Sequence, residues 1–139
     1  MSVRTSVEFM PEIGELEVIQ TTIGSISEQG EWTPDLTYQI ELIVEELCIN
    51  VINHGEVDGT QPIRVEIESD VDFVKIEISD NGRAFDPTKD VATPSQITSI
   101  ENSEIGGWGV HLAHTFSDEM HYRRVDDKNC LTLVKRRTG

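Results

Sequence analysis

The sequence predicts an α+β chain, and two kinds of periodicity carry that prediction. Stretches such as Ile63, Val65, Ile67 and Val74, Ile76, Ile78 alternate apolar with polar residues, as strands with one buried face do. Residues 11–29 and 33–55 instead repeat apolar residues at three- and four-residue steps, as helices with one apolar stripe do. A shorter helical pattern, Val110, Leu112, Ala113 and Phe116, lies nearer the C-terminus.

The stretch from Thr33 to Gly55 organises the rest. Thr33 is the expected N-cap, with Pro34 at the first helical position, where its missing N–H costs nothing. Gly55 is a natural stop. Between them Leu36, Ile40, Ile43, Val44, Leu47 and Val51 form the apolar stripe. Glu46, Asn50 and Asn53 line up along one flank of it, at i, i+4 and i+7. A carboxylate and two amides beside the core, rather than opposite it, suit the edge of a pocket. On this helix alone, a merely wet flank is the simpler account of them.

The remaining elements follow in chain order. Val3, Thr5, Val7 and Phe9 share a parity and predict a first strand. Ile13, Leu16, Ile19, Ile23 and Ile26 predict a helix over 11–29, ended by Gly30. After the long helix, the two alternating stretches joined at Ser69–Asp72 predict a hairpin with one face on the core. Asp80 continues the series Val74, Ile76, Ile78, so its carboxylate points to the side the helices cover. A carboxylate there needs a hydrogen-bond partner or a pocket, unless it starts an Asx turn before Asn81-Gly82. Residues 83–105 lose periodicity and fill with Thr, Ser, Asp and Pro, a run that is either a functional lid or evidence against the element assignment there. Gly106, Gly107 and Gly109 then feed the short helix, where exposed backbone N–H groups and the positive end of the dipole suit phosphate. Residues 120–125 and 130–134 predict a closing hairpin around Asp126–Asn129.

Composition narrows the function. The 139 residues form a single expected domain, 1–139, without internal repeats. With 26 acidic against 11 basic residues, the formal charge of −15 speaks against nucleic-acid binding through a broad basic surface. The acidic field serves solubility, or steers a basic protein partner. Cys48 and Cys130 lack a C-x-x-C spacing and are expected as buried, reduced thiols. No uninterrupted apolar segment suggests a signal peptide or a membrane span, so a soluble, cytoplasmic protein is expected. His111 and His114 are spaced for one helix face, but no third metal ligand accompanies them. Trp32 and Trp108 are expected in core or lid packing rather than base stacking.

Three motifs thus stand in fixed order: Glu46-x-x-x-Asn50 with His54 four further on, a strand ending Asp80-x-Gly82, and a lid closed by Gly106-Gly107-x-Gly109. That combination resembles the GHKL ATP-binding superfamily, and within it the bacterial anti-sigma factor and switch-protein serine kinases. The resemblance runs from the first strand to the final hairpin. It implies a two-layer α+β sandwich, a mostly antiparallel, mixed sheet covered on one face by three helices. It implies ATP and Mg²⁺ as cofactors. By resemblance Glu46 matches the catalytic base and Asn50 the amide that ligates Mg²⁺. Asn53 falls near the ATP phosphates, and Asp80 matches the carboxylate that accepts from the adenine amino group. Gly82 lets the backbone turn closely against the base, and Gly106, Gly107 and Gly109 match the phosphate loop. Many members carry Gly-Thr before the last strand, the Thr supporting the aspartate through water. Asn129-Cys130 stands there instead, which leaves the support of Asp80 open.

Two functions compete on these grounds. One is a serine/threonine kinase that phosphorylates a STAS-type anti-anti-sigma protein, with a sigma factor as a second partner and a homodimer admitted. The other is an ATP-binding module that sequesters a regulatory partner without phosphotransfer. The presence of both Glu46 and Asn50 favours the kinase.

Overall fold

The computed structural model describes residues 2–57, 59–86 and 107–137. Among them five strands form one sheet: β1 (Val3–Phe9), β2 (Ile63–Ser69), β3 (Phe73–Asp80), β4 (Glu119–Val125) and β5 (Lys128–Arg136). Three α-helices accompany it: α1 (Glu17–Gln29), α2 (Pro34–His54) and α3 (Gly107–Phe116). The strand order is β1-β2-β3-β5-β4, and every pairing is antiparallel, so the sheet carries no parallel pair.

Strand parity sets the two layers. Ile63, Val65, Ile67, Val74, Ile76, Ile78, Leu131 and Leu133 are buried on one face, where they meet Ile19, Ile23 and Ile26 of α1 and Ile40, Ile43, Val44 and Leu47 of α2. Helix α1 packs on β1 and α2, and α3 packs on α2. The opposite face is polar, with Arg4 and Arg64 paired to Glu66, Glu68 and Glu8.

Helix α2 starts as expected, the Thr33 hydroxyl accepting from the Leu36 N–H at 3.2 Å. Asp35 in the first turn and His54 in the last sit where the helix dipole favours them. Trp32, just before the cap, is buried and donates from Nε1 to Ser69 Oγ at 2.8 Å, which fixes the entry of α2 over the end of β2.

Two boundaries differ from the sequence reading. The first helix begins at Glu17, not Pro11, because residues Ile13–Glu15 form a tight 3-10 turn. Gly14 weakens an α-helix there, and the turn swings Ile13 off the apolar stripe to 52% exposure. The second difference is the last turn. Asp126 and Asp127 alone form it, both with positive φ, 51° and 62°, while Val125 pairs with Lys128. Asn129 therefore belongs to β5 and shares the inward parity of Leu131 and Leu133.

Cys48 is buried, whereas Cys130 is only half-buried, and both are free thiols. Among the described residues no helix is long and apolar enough to cross a membrane, and no cluster of His, Cys, Asp and Glu suits a metal ion by itself. Most of the expected lid, 87–105, lies outside the described residues, as does Gly106.

Candidate functional site

The pocket opens where the C-terminal half of α2 leaves the sheet. Leu47, Asn50, Val51 and His54 form its helical wall, and Ile78, Asp80 and Leu131 its floor. Arg83, Phe85, Tyr122 and Asn129 close the far side. The empty space is about 660 Å³, counted out through the mouth. An apolar lining with a few polar groups is the usual character of small-molecule sites.

The floor is built around Asp80, 7% exposed at the end of β3. Its Oδ1 accepts from the Gly82 N–H at 2.8 Å and from Asn129 Nδ2 at 3.0 Å. Oδ2 takes no hydrogen bond among the described residues. Asp80 thus both starts an Asx turn with Gly82 and lines the pocket. Below it sits Cys48, whose thiol is pushed far above its usual range, first by burial and then by the charges of Asp80 and Glu45. That thiol is an inert part of the core.

Gly82 occupies a position that admits no side chain. A Cβ there would lie 2.2 Å from the Gly55 carbonyl oxygen and 2.9 Å from Asp80 Oδ1. The same Gly55 oxygen accepts from the Arg83 N–H at 2.7 Å, so the segment after β3 is tied to the end of α2. Arg83 Nε also donates to the His54 carbonyl at 3.2 Å, and its guanidinium lies 6.0 Å from the centroid of the Phe85 ring.

Asn50 carries the second unusual group. Its Oδ1 is buried and meets no hydrogen-bond donor among the described residues. An unpaired buried carbonyl is costly, about 1–3 kcal/mol, and a native structure retains one where something else completes it. A hard amide oxygen on a pocket wall fits a Mg²⁺ ion that keeps its other positions for water and phosphate.

The other expected residues are placed less centrally. Glu46 is half-buried one helical turn before Asn50, makes no hydrogen bond or ion pair among the described residues, and does not line the pocket. Asn53 is exposed and lines a shallow neighbouring groove with Ile52, His54, Glu56, Val57 and Arg83. Gly107 begins α3 and Gly109 lies in its first turn, while the Trp108 side chain is outside the described set.

Asn129 was not among the expected site residues. Its amide NH₂ donates to Asp80 Oδ1 and, at 2.8 Å, to the Arg83 carbonyl. Its Oδ1 accepts from the Tyr122 hydroxyl and from Arg124 Nη1 at 3.0 Å. Arg124 Nη1 also donates to the Gly82 carbonyl at 2.8 Å. The β4–β5 hairpin therefore holds the Asp80–Arg83 segment directly. A two-residue Asp126-Asp127 turn, read as such, would have revealed the parity of Asn129.

Comparison with known proteins settles the family. Residues 9–135 match the model of a family described as the histidine kinase-like ATPase domain. The chain belongs to that family. It is 29% identical over 128 residues to the serine/threonine-protein kinase BtrW of Bordetella bronchiseptica, covering 86% of this chain and 89% of that one. It is 26% identical over 137 residues to an anti-sigma F factor of Clostridium botulinum, covering 96% and 94%. The serine-protein kinase RsbW of Bacillus licheniformis is 25% identical over 123 residues, covering 85% and 76%. Among solved structures the histidine kinase AdeS of Acinetobacter baumannii superposes with a TM-score of 0.54, covering 97% of this chain and 68% of that one. At 14% identity that likeness concerns the histidine kinase-like ATPase fold alone.

Proposed function

We propose that this histidine kinase-like ATPase domain is an ATP-dependent serine/threonine protein kinase and anti-sigma-type partner-switching regulator, acting on a STAS-type anti-anti-sigma protein. The single observation that carries it is one pocket lined by Asp80 and Asn50, whose Oδ2 and Oδ1 respectively take no hydrogen bond among the described residues. An aminopurine triphosphate with a hard divalent cation would complete both. Relatives named serine kinases and anti-sigma factors support the choice of reaction and of partner.

Asp80 accepts from the adenine amino group, and the close approach of Gly82 to Gly55 leaves the base room beside it. Asn50 holds Mg²⁺, which when bound neutralises phosphate charge beside a −15 chain. Asn53 and the N-terminus of α3, with Gly106, Gly107 and Gly109, take the phosphates. Glu46, one turn before Asn50, orients and deprotonates the incoming hydroxyl at the pocket mouth. The acidic surface steers the partner, with a sigma factor and a second copy of this chain as further partners, in the cytoplasm.

One observation favours the second reading, a sequestering module without phosphotransfer: Glu46 does not line the pocket. The deciding experiment incubates the protein with γ-labelled ATP, Mg²⁺ and a candidate STAS protein. Label on a serine or threonine of the partner is expected. A stable complex without label instead selects the module.

The metal reading has its own test. Asn50→Ala is expected to weaken ATP binding in Mg²⁺ by about tenfold or more, the scale on which even outer-shell metal partners register. ATP binding in chelator should barely change. Because Oδ1 meets no donor among the described residues, the variant should melt no lower than the parent. Equal Mg²⁺-dependent affinity in both proteins, measured by calorimetry, would remove Asn50 from the metal.

A further inference from the structure

We propose that Asn129 is a positioning residue that sets the Asp80 carboxylate, so that base discrimination in the pocket depends on the Asn129 side-chain amide. The inference rests on the reading of Asp80 as the group that meets the adenine amino group.

Asn129 is 7% exposed, and all four of its hydrogen-bonding positions are used. Turning the amide over would set its oxygen against the Asp80 carboxylate and the Arg83 carbonyl. It would also set the NH₂ against the cationic Arg124. The amide is therefore locked with its donors toward Asp80.

The consequence falls on the carboxylate. Oδ1 already accepts two donors, the Gly82 N–H and Asn129 Nδ2, so the oxygen left for a ligand is Oδ2. The direction in which Oδ2 points is set by the two donors that hold Oδ1. Without Asn129 only the Gly82 bond remains, and the carboxylate plane is free to tilt and take up water. A preformed acceptor is lost, and its cost is paid at each binding event. The loss concerns only a ligand that donates to Oδ2. A 6-amino base should register it, and a 6-oxo base should not.

The strand register makes the arrangement possible. Asp80 and Asn129 are paired across β3 and β5, and the two-residue Asp126-Asp127 turn gives Asn129 its inward parity.

Calorimetry with ATP and inosine triphosphate on the full chain tests the proposal, the two bases differing at the 6-amino group. The parent should prefer ATP. In Asn129→Ala the preference should fall by about tenfold, the range of one hydrogen bond to a charged group, while the inosine nucleotide binds as before. Asn129→Asp places a second carboxylate against Asp80, so its preference should be low at neutral pH. It should recover as pH falls, once the new carboxyl is protonated and can donate. Should these variants not fold, Tyr122→Phe, which leaves Asn129 Oδ1 held by Arg124 alone and does not touch Asp80, should lower the preference by a smaller factor. A parent without preference for ATP overturns the reading of Asp80 and this proposal with it. A preference in the parent that survives in the folded variants, or equal loss of both nucleotides, overturns the role of Asn129 alone.

Discussion

Glu46→Gln is expected to lower phosphate transfer to a protein partner by about 10²–10⁴, the usual worth of a general base. Affinity for ATP should hardly move. Glutamine keeps the size and hydrogen-bonding reach of glutamate but cannot take the hydroxyl proton. The position of Glu46 argues for this split. It lies one helical turn before Asn50 and does not line the pocket, so a nucleotide in that pocket loses no contact. Glu46 forms no ion pair among the described residues, so the substitution leaves no partner charge exposed. Removing one negative charge near the γ-phosphate should even tighten ATP slightly. The check pairs two measurements on parent and variant: phosphate transferred, and nucleotide affinity. Transfer in the parent that vanishes in the variant, with affinity kept, fits the base. Transfer absent from both, with the partner still bound, selects the sequestering module. Transfer undiminished in the variant excludes Glu46 as base.

Much of this arrangement is legible in the sequence because it is written in local periodicity. The cap at Thr33, the stop at Gly55 and the parity of Asp80 each follow from residues a few positions away. Local rules also place Asn50 on the flank that meets the pocket. What they do not contain is strand order. Strand β5, the last in sequence, inserts beside β3 and leaves β4 at the edge, and no short-range pattern dictates that choice. The pairing of Asp80 with Asn129 depends on it, and so does the entry of Tyr122 and Arg124 into the site. The 3-10 turn at Ile13–Glu15 is a different kind of miss. There an apolar residue at helical spacing outweighed the weak helix preference of Gly14, and Ile13 is exposed after all. The oxygen of Asn50 belongs to a third kind: residue type gives an amide, but only packing shows that no donor among the described residues reaches it.

Asp80→Asn is expected to weaken ATP by about 1.5–3 kcal/mol, the range for a hydrogen bond to a charged acceptor, with little loss of fold stability. The surroundings decide the orientation of the new amide. With its oxygen in the place of Oδ1, it keeps the bonds from the Gly82 N–H and Asn129 Nδ2. Its NH₂ then faces the pocket and meets the 6-amino group of adenine, donor against donor. The opposite orientation sets NH₂ against two donors in a site where Asp80 is buried, so the amide has no escape by flipping. A 6-oxo base fares differently, because its carbonyl accepts from the NH₂ that the variant presents. The preference for ATP over GTP should therefore shrink or reverse, rather than both nucleotides weakening together. Competition binding of ATP and GTP to parent and variant reads this directly, with melting temperature as the control for folding. Equal binding of the two nucleotides by the parent would sink the assignment of Asp80 to the base. A parent that prefers ATP and a variant with the same ratio would show that another group reads the 6-position.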